Sequence, residues 1–398
     1  MNIIPGWVRN YQKAWLSGDM VAGVIVTVML IPQSLAYALL AGLPPEVGLY
    51  ASILPIIAYA ALGSSMTLAV GPVAVASLMT ASALQPLAAA GSPDYVALAM
   101  LLSLLSGGML LLFGVLRLGF LAHFLSHPVI SGFISGSAVL IAVGQIKHLL
   151  GVKAGGNDVL DTVVQLAHAA PGTNLVTLGI GAGSVLFLVL ARKSLSPWLV
   201  RLGASPRLAD IASKLAPMLA VMVSTALVAA MRWDQTAGVS IVGTVPQGLP
   251  QLGLPAVSMA SVGSLWLPAL LISLVGFVES VSVAQSLALK RQQRIQPNRE
   301  LLGLGAANVA SALSGGFPVT GGFARSVVNF AAGANTPLAG VISAVLMGVV
   351  IAALTGLFHY LPHAVLAATI IVAVVSLIDV ETLREAWHYD KADAMALL

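Results

Sequence analysis

The sequence predicts an all-α integral membrane protein made of two halves of seven spans each, inserted in opposite orientations. Three observations predict it: an apolar composition, apolar stretches of helix length, and two broken segments in matching positions. Of 398 residues, 58% are hydrophobic and only 8% are charged, whereas a soluble domain carries about 25% charged residues. So few charges cannot cover a water-facing surface, so lipid must be the main solvent.

The apolar stretches run to about twenty residues without strict alternation, which favours helices over the strands of a barrel. Because lipid offers the backbone no hydrogen bonds, each span must satisfy its own. We predict full or partial spans at 20–40, 46–62, 71–82, 95–116, 128–147, 174–191, 215–231, 264–289, 300–314, 322–332, 336–357, 362–378 and 380–389. A fourteenth begins near Ala392, and we expect it to be truncated at Leu398.

Basic residues set the orientation. Alternating spans place most of them on the side of the N-terminus: Arg9, Lys13, Arg117, Arg192, Lys193, Arg201, Arg207, Lys214, Lys290, Arg291, Arg294 and Arg299. The opposite side holds Lys147, Lys153 and Arg232. The positive-inside rule therefore predicts a cytoplasmic N-terminus, and we expect a multi-pass protein of the cell inner (plasma) membrane. It also accounts for the net charge of +4, so we expect no nucleic-acid partner.

Two spans, the third and the tenth, are unusually short. AVGPVAVASLMTAS begins at Ala69 with a Gly-Pro break, and FPVTGGFARSVVNFAAG begins at Phe317 with a proline and paired glycines. We expect each to form a short extended piece followed by a half-helix. Irregular backbone at membrane depth is tolerated only where it lines a cavity or is buried in protein.

The two short spans occupy corresponding places. The first half has Gln33 in mid-span, Glu46 opening the next span and Gly71 starting the short helix, and the second half has Glu279, Glu300 and Gly321. An odd number of spans per half requires opposite orientations. Paired broken helices in an inverted repeat point to a binding site near the bilayer midplane.

The helix ends at such a site favour anions. Two half-helices that enter from opposite faces aim their N-termini at each other, and each end carries unpaired N–H groups and about half a positive charge. Arg325, about one turn into the second half-helix, is costly in an apolar span and should face a cavity or a partner. The alternatives are that the glycines only permit tight helix packing, and that Arg325 forms a buried ion pair with Glu279.

Three further polar side chains are candidates for the site. Glu279 lies deep in an apolar span, where a carboxyl is either a proton carrier or half of a structural pair. Gln33 and Tyr37 fall one turn apart on one helix face, beside a carbonyl that Pro32 frees. Their alternative role is interhelical hydrogen bonding. For Asn329, one turn beyond Arg325, we expect a packing or cavity-lining role.

The sequence carries no sign of catalysis or of a cofactor. Cysteine is absent, and the seven histidines have no zinc-like spacing. No nucleotide-binding loop of the GxxxxGK[ST] type occurs, and we find no nucleophile–base pair within the spans. We therefore expect neither a metal, nor a cofactor, nor an enzyme.

Two stretches resemble a known family. IPQSLAYALLAGLPPEVGLY with GSSMTLAVGPVAVASL, within 23–77, and the region from Glu279 through FPVTGGFARSVVN to Asn329 resemble the SulP family of sulfate permeases and related anion transporters. The resemblance implies the seven-plus-seven fold of uracil permeases. It implies a core (spans 1–4 and 8–11) at approximately 19–118 and 264–357, and a gate (spans 5–7 and 12–14) at approximately 119–263 and 358–398.

The resemblance also implies the site residues. Gln33 and Tyr37 would line the site, Val73 and Ala74 would start the third-span half-helix, and Ala324, Arg325 and Ser326 would start the tenth. Glu279 takes the acidic position of the eighth span. Family members with Glu there look proton-coupled, and Val283, one turn on, lacks the hydroxyl expected for sodium.

Two departures accompany the resemblance. Relatives usually carry a cytoplasmic STAS domain after the last span, and we expect none in this chain, whose last span is cut short. Many relatives have Ser where this chain has Ala324. The family pattern also suggests a homodimer.

Together these features predict a secondary transporter of small inorganic anions that works by alternating access, with sulfate as the leading substrate and a proton as the candidate co-transported ion. Bicarbonate, chloride and dicarboxylates fit the same site. An anion channel on this scaffold and a nucleobase permease of the same fold are the alternatives. A nucleobase permease should carry an acidic pair for ring N–H groups, so Arg325 favours an anion.

Overall fold

A computed structural model describes residues 5–123, 127–154, 159–255 and 258–375, most of which lie in helices. The chain forms two compact units. The first comprises Met1–Leu125 and Gln247–Ala353, and the second comprises Ser126–Pro246 and Leu354–Leu398. The predicted span 380–389 and the fourteenth span from Ala392 lie outside the described residues.

The helices and strands are numbered along the chain. The first stretch of the first unit contains α1 (Gly6–Arg9), α2 (Leu16–Leu40), α3 (Pro45–Tyr50), α4 (Leu54–Leu62), β1 (Val70–Gly71), α5 (Ala74–Leu84) and α6 (Pro93–Val115), with 3-10 turns at Lys13–Trp15 and Leu118–His123. The second unit follows with α7 (His127–Leu150), α8 (Val159–Ala169), α9 (Leu175–Leu190), α10 (Ser196–Arg201), α11 (Pro206–Lys214), α12 (Ala216–Met231) and α13 (Trp233–Thr236).

The chain then returns to the first unit and ends its described part in the second. The return contributes α14 (Met259–Leu289), α15 (Pro297–Leu313), β2 (Thr320–Gly321), α16 (Phe323–Ala332) and α17 (Leu338–Ala353). The last described helix of the second unit is α18 (His363–Val375). That unit also contains 3-10 turns at Ala170–Gly172 and Thr355–Phe358, and a π-helical turn at Ala191–Leu195.

The predicted spans up to the twelfth coincide with helices to within a few residues. Within the described residues, five segments have the length and apolar composition to cross a membrane, and a sixth is added if the bent pair Leu208–Lys214 and Ala216–Met231 is one span. The predicted second span, 46–62, contains two helices, α3 and α4, with a break between them. Pro55 lies in the first turn of α4, where its missing N–H costs least.

Close backbone contact joins α6 to α15 in the first unit. A Cβ atom added to Gly107 would lie 2.8 Å from the carbonyl oxygen of Gly305, so both positions require a residue without a side chain. Ser103 donates a hydrogen bond of 2.9 Å to the carbonyl of Asn308 beside this contact. Small residues that let helices approach, with hydroxyls between them, are typical of membrane packing.

Two buried carboxylates fasten the loops that flank the broken segments. Glu300, in the first turn of α15, accepts hydrogen bonds from the Tyr59 hydroxyl (2.7 Å), from the Ser64 hydroxyl (2.6 Å) and from the backbone N–H groups of Ser64 and Ser65. Asp19, in the first turn of α2, accepts from the backbone N–H groups of Asn335 and Thr336. Each carboxylate thus binds a loop that adjoins β1 or α16.

We predict that Glu300→Gln destabilises the protein by about 2 kcal/mol, because an amide cannot accept this set of donors and charge-assisted bonds are the strong ones. Glu46→Gln is the matched control, since Glu46 also lies in the first turn of a helix but is half-exposed. The midpoint of thermal unfolding in detergent should fall for Glu300→Gln and stay near the parental value for Glu46→Gln. Equal unfolding midpoints for the two variants would show that the hydrogen bonds to Glu300 do not stabilise the protein.

Candidate functional site

The two broken segments cross in the first unit as a two-stranded antiparallel ladder. Val70 pairs with Gly321 and Gly71 pairs with Thr320, and the backbone N–H of Gly322 donates to Ala69 O at 3.0 Å. The half-helices α5 and α16 begin within three residues of these strands. The predicted pattern, a short extended piece followed by a half-helix, is therefore confirmed in both halves. The ladder satisfies backbone groups that lipid would leave unpaired.

Side chains from three helices hold this crossover in place. Ser326 of α16 accepts a hydrogen bond from the backbone N–H of Ala69 at 2.9 Å. Ser280 of α14 accepts one from the N–H of Gly321 at 2.8 Å. Asn308 of α15 accepts from the N–H of Val319 (3.0 Å) and donates to its carbonyl (2.9 Å). Asn329 of α16 donates to Thr67 O at 3.0 Å. The ladder has only two residues in each strand, and these hydrogen bonds hold the residues on either side of it.

Arg325 lies at the centre of the crossover. Its side chain is 2% exposed, and Nη1 donates to the carbonyl of Pro72 at 2.6 Å and to Oε1 of Gln33 at 3.4 Å. Nε and Nη2 are buried without a hydrogen-bond partner among the described residues. A buried guanidinium with unmet donors is a concentrated positive charge in a low-dielectric setting. It strengthens the positive potential of both helix ends beside it.

Two glycines make room for this guanidinium. A Cβ atom added to Gly322 would lie 3.0 Å from Nη2 of Arg325, and one added to Gly71 would lie 3.2 Å from the same atom. One glycine comes from each half of the chain. The guanidinium therefore packs directly against glycine backbone on two sides. A larger residue at either glycine would collide with it.

The Glu279 carboxyl and the Tyr37 hydroxyl lie close enough to Arg325 to interact electrostatically with its guanidinium. No ion pair within 4.0 Å joins Glu279 to Arg325, although both residues lie in the described part of the chain. The alternative that Arg325 is neutralised by a direct ion pair with Glu279 is therefore wrong for this structure. The Tyr37 side chain is buried, and its hydroxyl has no hydrogen bond to any residue in the described ranges.

The remaining predicted residues divide into exposed and buried groups. Ala324 is exposed, and Gln33 and Glu279 are half-exposed. Val73, Ala74 and Ser326 are buried. Val73 and Gly322 are the N-cap residues of α5 and α16, and neither helix has a side-chain cap. The first N–H groups of both half-helices thus remain without side-chain partners beside the charge of Arg325.

A small cavity lies on one side of the crossover. It has a volume of about 20 Å³ and is lined mainly by apolar side chains, together with the polar side chains of Tyr59, Arg325, Asn329 and Ser343. A cavity needs roughly 10–15 Å³ to hold one water molecule, so this one accommodates a water but not a tetrahedral oxyanion. Gln33, Glu279 and Ala324 are not fully buried and do not line this cavity. Within the described ranges, no three His, Cys, Asp or Glu side chains group as metal ligands.

Three contributors to the crossover were not predicted from the sequence. The carbonyl of Pro72 is the nearest partner of Arg325, Ser280 anchors β2, and Phe323 exposes half of its side chain at the start of α16. Ser280 directly follows Glu279 in sequence, but a serine in an apolar span more often bonds within its own helix, so the pattern held no signal for it. It also donates to Gly276 O, as such serines do.

The chain is similar to known proteins in both sequence and fold. Residues 16–398 match the model of the sulfate permease family. The protein named "Probable sulfate transporter Rv1739c" of Mycobacterium tuberculosis (strain ATCC 25618 / H37Rv) is 38% identical over 396 residues, which are 99% of this chain and 68% of that protein. "Sulfate transporter 4.1, chloroplastic" of Arabidopsis thaliana is 36% identical over 97% of this chain and 55% of its own length.

Solved structures show the same fold. The murine Slc26a9 anion transporter in its inward-facing state matches with a TM-score of 0.89 at 22% identity, over 99% of this chain and 66% of that one. The transmembrane domain of a cyanobacterium bicarbonate transporter, BicA, matches with a TM-score of 0.83 at 24% identity, over 97% and 95%. The fold is therefore the seven-plus-seven inverted repeat predicted from the sequence.

We predict that Ser280→Ala loosens β2, because it leaves the buried N–H of Gly321 without an acceptor at a cost of about 1–3 kcal/mol. Ser282→Ala is the control, since the Ser282 hydroxyl bonds only to Val278 O in its own helix. Hydrogen exchange of the 320–322 amides should accelerate in Ser280→Ala and stay unchanged in Ser282→Ala. Equal exchange in both variants would mean that Ser280 does not hold the strand.

Proposed function

The chain belongs to the sulfate permease family, and we propose that it is a secondary transporter that carries small inorganic anions, sulfate foremost, by alternating access. The observation that carries the proposal is the buried guanidinium of Arg325 between two uncapped half-helix N-termini. Backbone N–H groups of α5 and α16 bind the anion, and the buried guanidinium of Arg325 adds positive charge nearby.

The charge at the crossover supports a divalent substrate. Each helix N-terminus contributes roughly half a positive charge, and Arg325 contributes a full one, so the three together amount to about two. A sulfate dianion matches this total, whereas bicarbonate or chloride leaves positive charge uncompensated. Dicarboxylates carry the same charge as sulfate and remain an alternative, which size and shape must decide.

Glu279 provides the proposed link to protons. When its carboxyl is ionised, it cancels about one of the positive charges near Arg325, and the site then favours a monovalent anion. When the carboxyl is protonated, the full positive charge is restored and sulfate is favoured. Sulfate and a proton therefore promote each other's binding, as linkage requires. An unpaired carboxylate in an apolar span is itself costly, and a proton removes that cost.

The relatives support the substrate class. Several carry sulfate transport in their names, and one structural neighbour is named as a bicarbonate transporter, so bicarbonate is the second candidate. The chain spans 55–68% of the length of the curated relatives cited above, so the activity of the whole protein is part of the proposal.

The same proposal covers topology and assembly. The distribution of basic residues supports a cytoplasmic N-terminus in the plasma membrane. We assign the anion-carrying role to the first unit, which contains the crossover, and the role of the gate to the second. The family resemblance supports a homodimer.

The first test is uptake of labelled sulfate by proteoliposomes. We predict that Arg325→Gln lowers uptake at low sulfate by about 30-fold or more, since removing one partner of a buried charge interaction costs at least about 2 kcal/mol. Arg325→Lys should retain part of the activity because it keeps the charge. Arg294→Gln, which removes an exposed arginine, is the control and should transport normally.

Two outcomes would overturn this proposal. The first is parental uptake by a correctly folded Arg325→Gln variant. The second is failure of sulfate, bicarbonate and small dicarboxylates alike to move through the parental protein. Flux far above carrier rates, with current and no coupled ion, would instead identify an anion channel.

The second test concerns coupling. We predict that an inward proton gradient accelerates sulfate uptake by the parental protein and by the control Glu46→Gln. Glu279→Gln should still carry sulfate, because the amide resembles the protonated carboxyl, but the gradient should no longer accelerate uptake. Persistence of the acceleration in Glu279→Gln, or its absence in the parental protein, would remove Glu279 from the coupling step.

A further inference from the structure

The second unit contains an open apolar groove between α9 and α12. Its volume is about 410 Å³, within the range of roughly 300–1,000 Å³ that is typical of ligand sites. It is lined by two glycines of α9 and by aliphatic and aromatic side chains of both helices, among them Gly179, Gly183, Phe187, Leu219, Val223 and Leu227. The Ser224 hydroxyl, at the floor, donates to Val221 O in its own helix. The groove therefore suits a hydrocarbon chain and offers little to a polar ligand.

One end of the groove is basic. Helix α9 runs into the π-helical turn Ala191–Leu195, which presents Arg192 and Lys193 with exposed side chains. This turn contacts α10 and α11, and α11 leads directly into α12. The end of α9 and the start of α12 thus lie at the same end of the groove, beside these cations. Lys214 lies at this end too, but it is paired with Asp210 at 2.6 Å.

The segment that carries these cations has the character of a membrane interface. Trp198 on α10 is 56% exposed, Leu202 just after it is 65% exposed, and Leu208 on α11 is 63% exposed. Ala209 on the same short helix is fully buried. Exposed tryptophan and leucine beside basic residues are typical of a segment that lies at the level of lipid headgroups. The cations therefore meet headgroups while the groove meets acyl chains.

We propose that this groove binds an anionic phospholipid, with one acyl chain between α9 and α12 and its headgroup phosphate held by Arg192 and Lys193. Charge complementarity selects this occupant, because the polar contacts are cationic and lie only at the headgroup end. A second copy of the chain fits less well. A dimer with its two-fold axis along the membrane normal sets both pairs of cations at the same depth, where like charges repel.

The test uses the absence of cysteine from the chain. A single Met222→Cys substitution places a bimane label beside the groove, because Met222 is exposed on α12 next to Val223. A Leu112→Cys label on α6, also exposed, reports bulk lipid in the first unit. Quenching is measured in vesicles that contain phosphatidylglycerol or phosphatidylcholine with brominated acyl chains, and the ratio gives the headgroup preference at each position.

We expect about a 30-fold preference for phosphatidylglycerol at Met222→Cys, given two basic side chains at the headgroup level, and little preference at Leu112→Cys. Arg192→Gln combined with Lys193→Gln should abolish the preference. Gly183→Leu should displace the chain by filling the groove. Gly108→Leu is its control, since an added Cβ meets open space at both glycines but Gly108 lies on α6.

Equal headgroup preference at the two labels would overturn the proposal. So would a preference that survives both the charge removal and the filled groove. Protection of the Met222→Cys label from both brominated lipids, with cross-linking between copies, would show that a second chain covers the groove and would also overturn it. None of these quenching measurements depends on transport. Their outcome therefore tests lipid binding separately from the proposed anion site.

Discussion

The antiparallel pairing of β1 with β2 is the contact on which the site of this protein depends. Four residues supply the ladder, yet it solves the main problem of a broken membrane helix, which is unpaired backbone in a medium without water. Because the ladder joins the two halves, it brings both half-helix N-termini to one place. Hydrogen bonds from Ser326, Ser280 and Asn308 to the backbone of both segments hold the ladder in place.

The ladder also determines how positive charge is placed. Arg325 is held by a carbonyl of the opposite segment and packs against a glycine from each half, so the guanidinium can lie only where the segments cross. The Pro72 carbonyl and the Gln33 amide oxygen offset part of its desolvation, whereas the two helix N-termini, being positive, raise its cost. The result is a positive potential to which the two helix ends and Arg325 contribute about equally, fixed in position by the crossover.

Much of this arrangement was predictable from sequence, because the costs of breaking a helix and of burying an arginine in lipid are both visible in local composition. The Gly-Pro break near Gly71 and the paired glycines before Phe323 located the half-helices. The partner of Arg325 was not predictable. Glu279 was the obvious candidate by charge, but the register between segments some 250 residues apart, which places Pro72 O at Arg325, leaves no local trace. The groove on α9 was missed because glycines in an apolar span indicate either packing or open space.

The ladder has a consequence for how such a chain could arise. An ancestor of half this length would have carried one broken helix and one lone two-residue strand, whose N–H and C=O groups would face hydrocarbon. Those groups would be paired only when a second copy, inserted in the opposite orientation, supplied the other strand. Folding would then be limited by the encounter of two chains in the membrane. Within one chain the two segments need no such encounter, because the intervening residues keep them close.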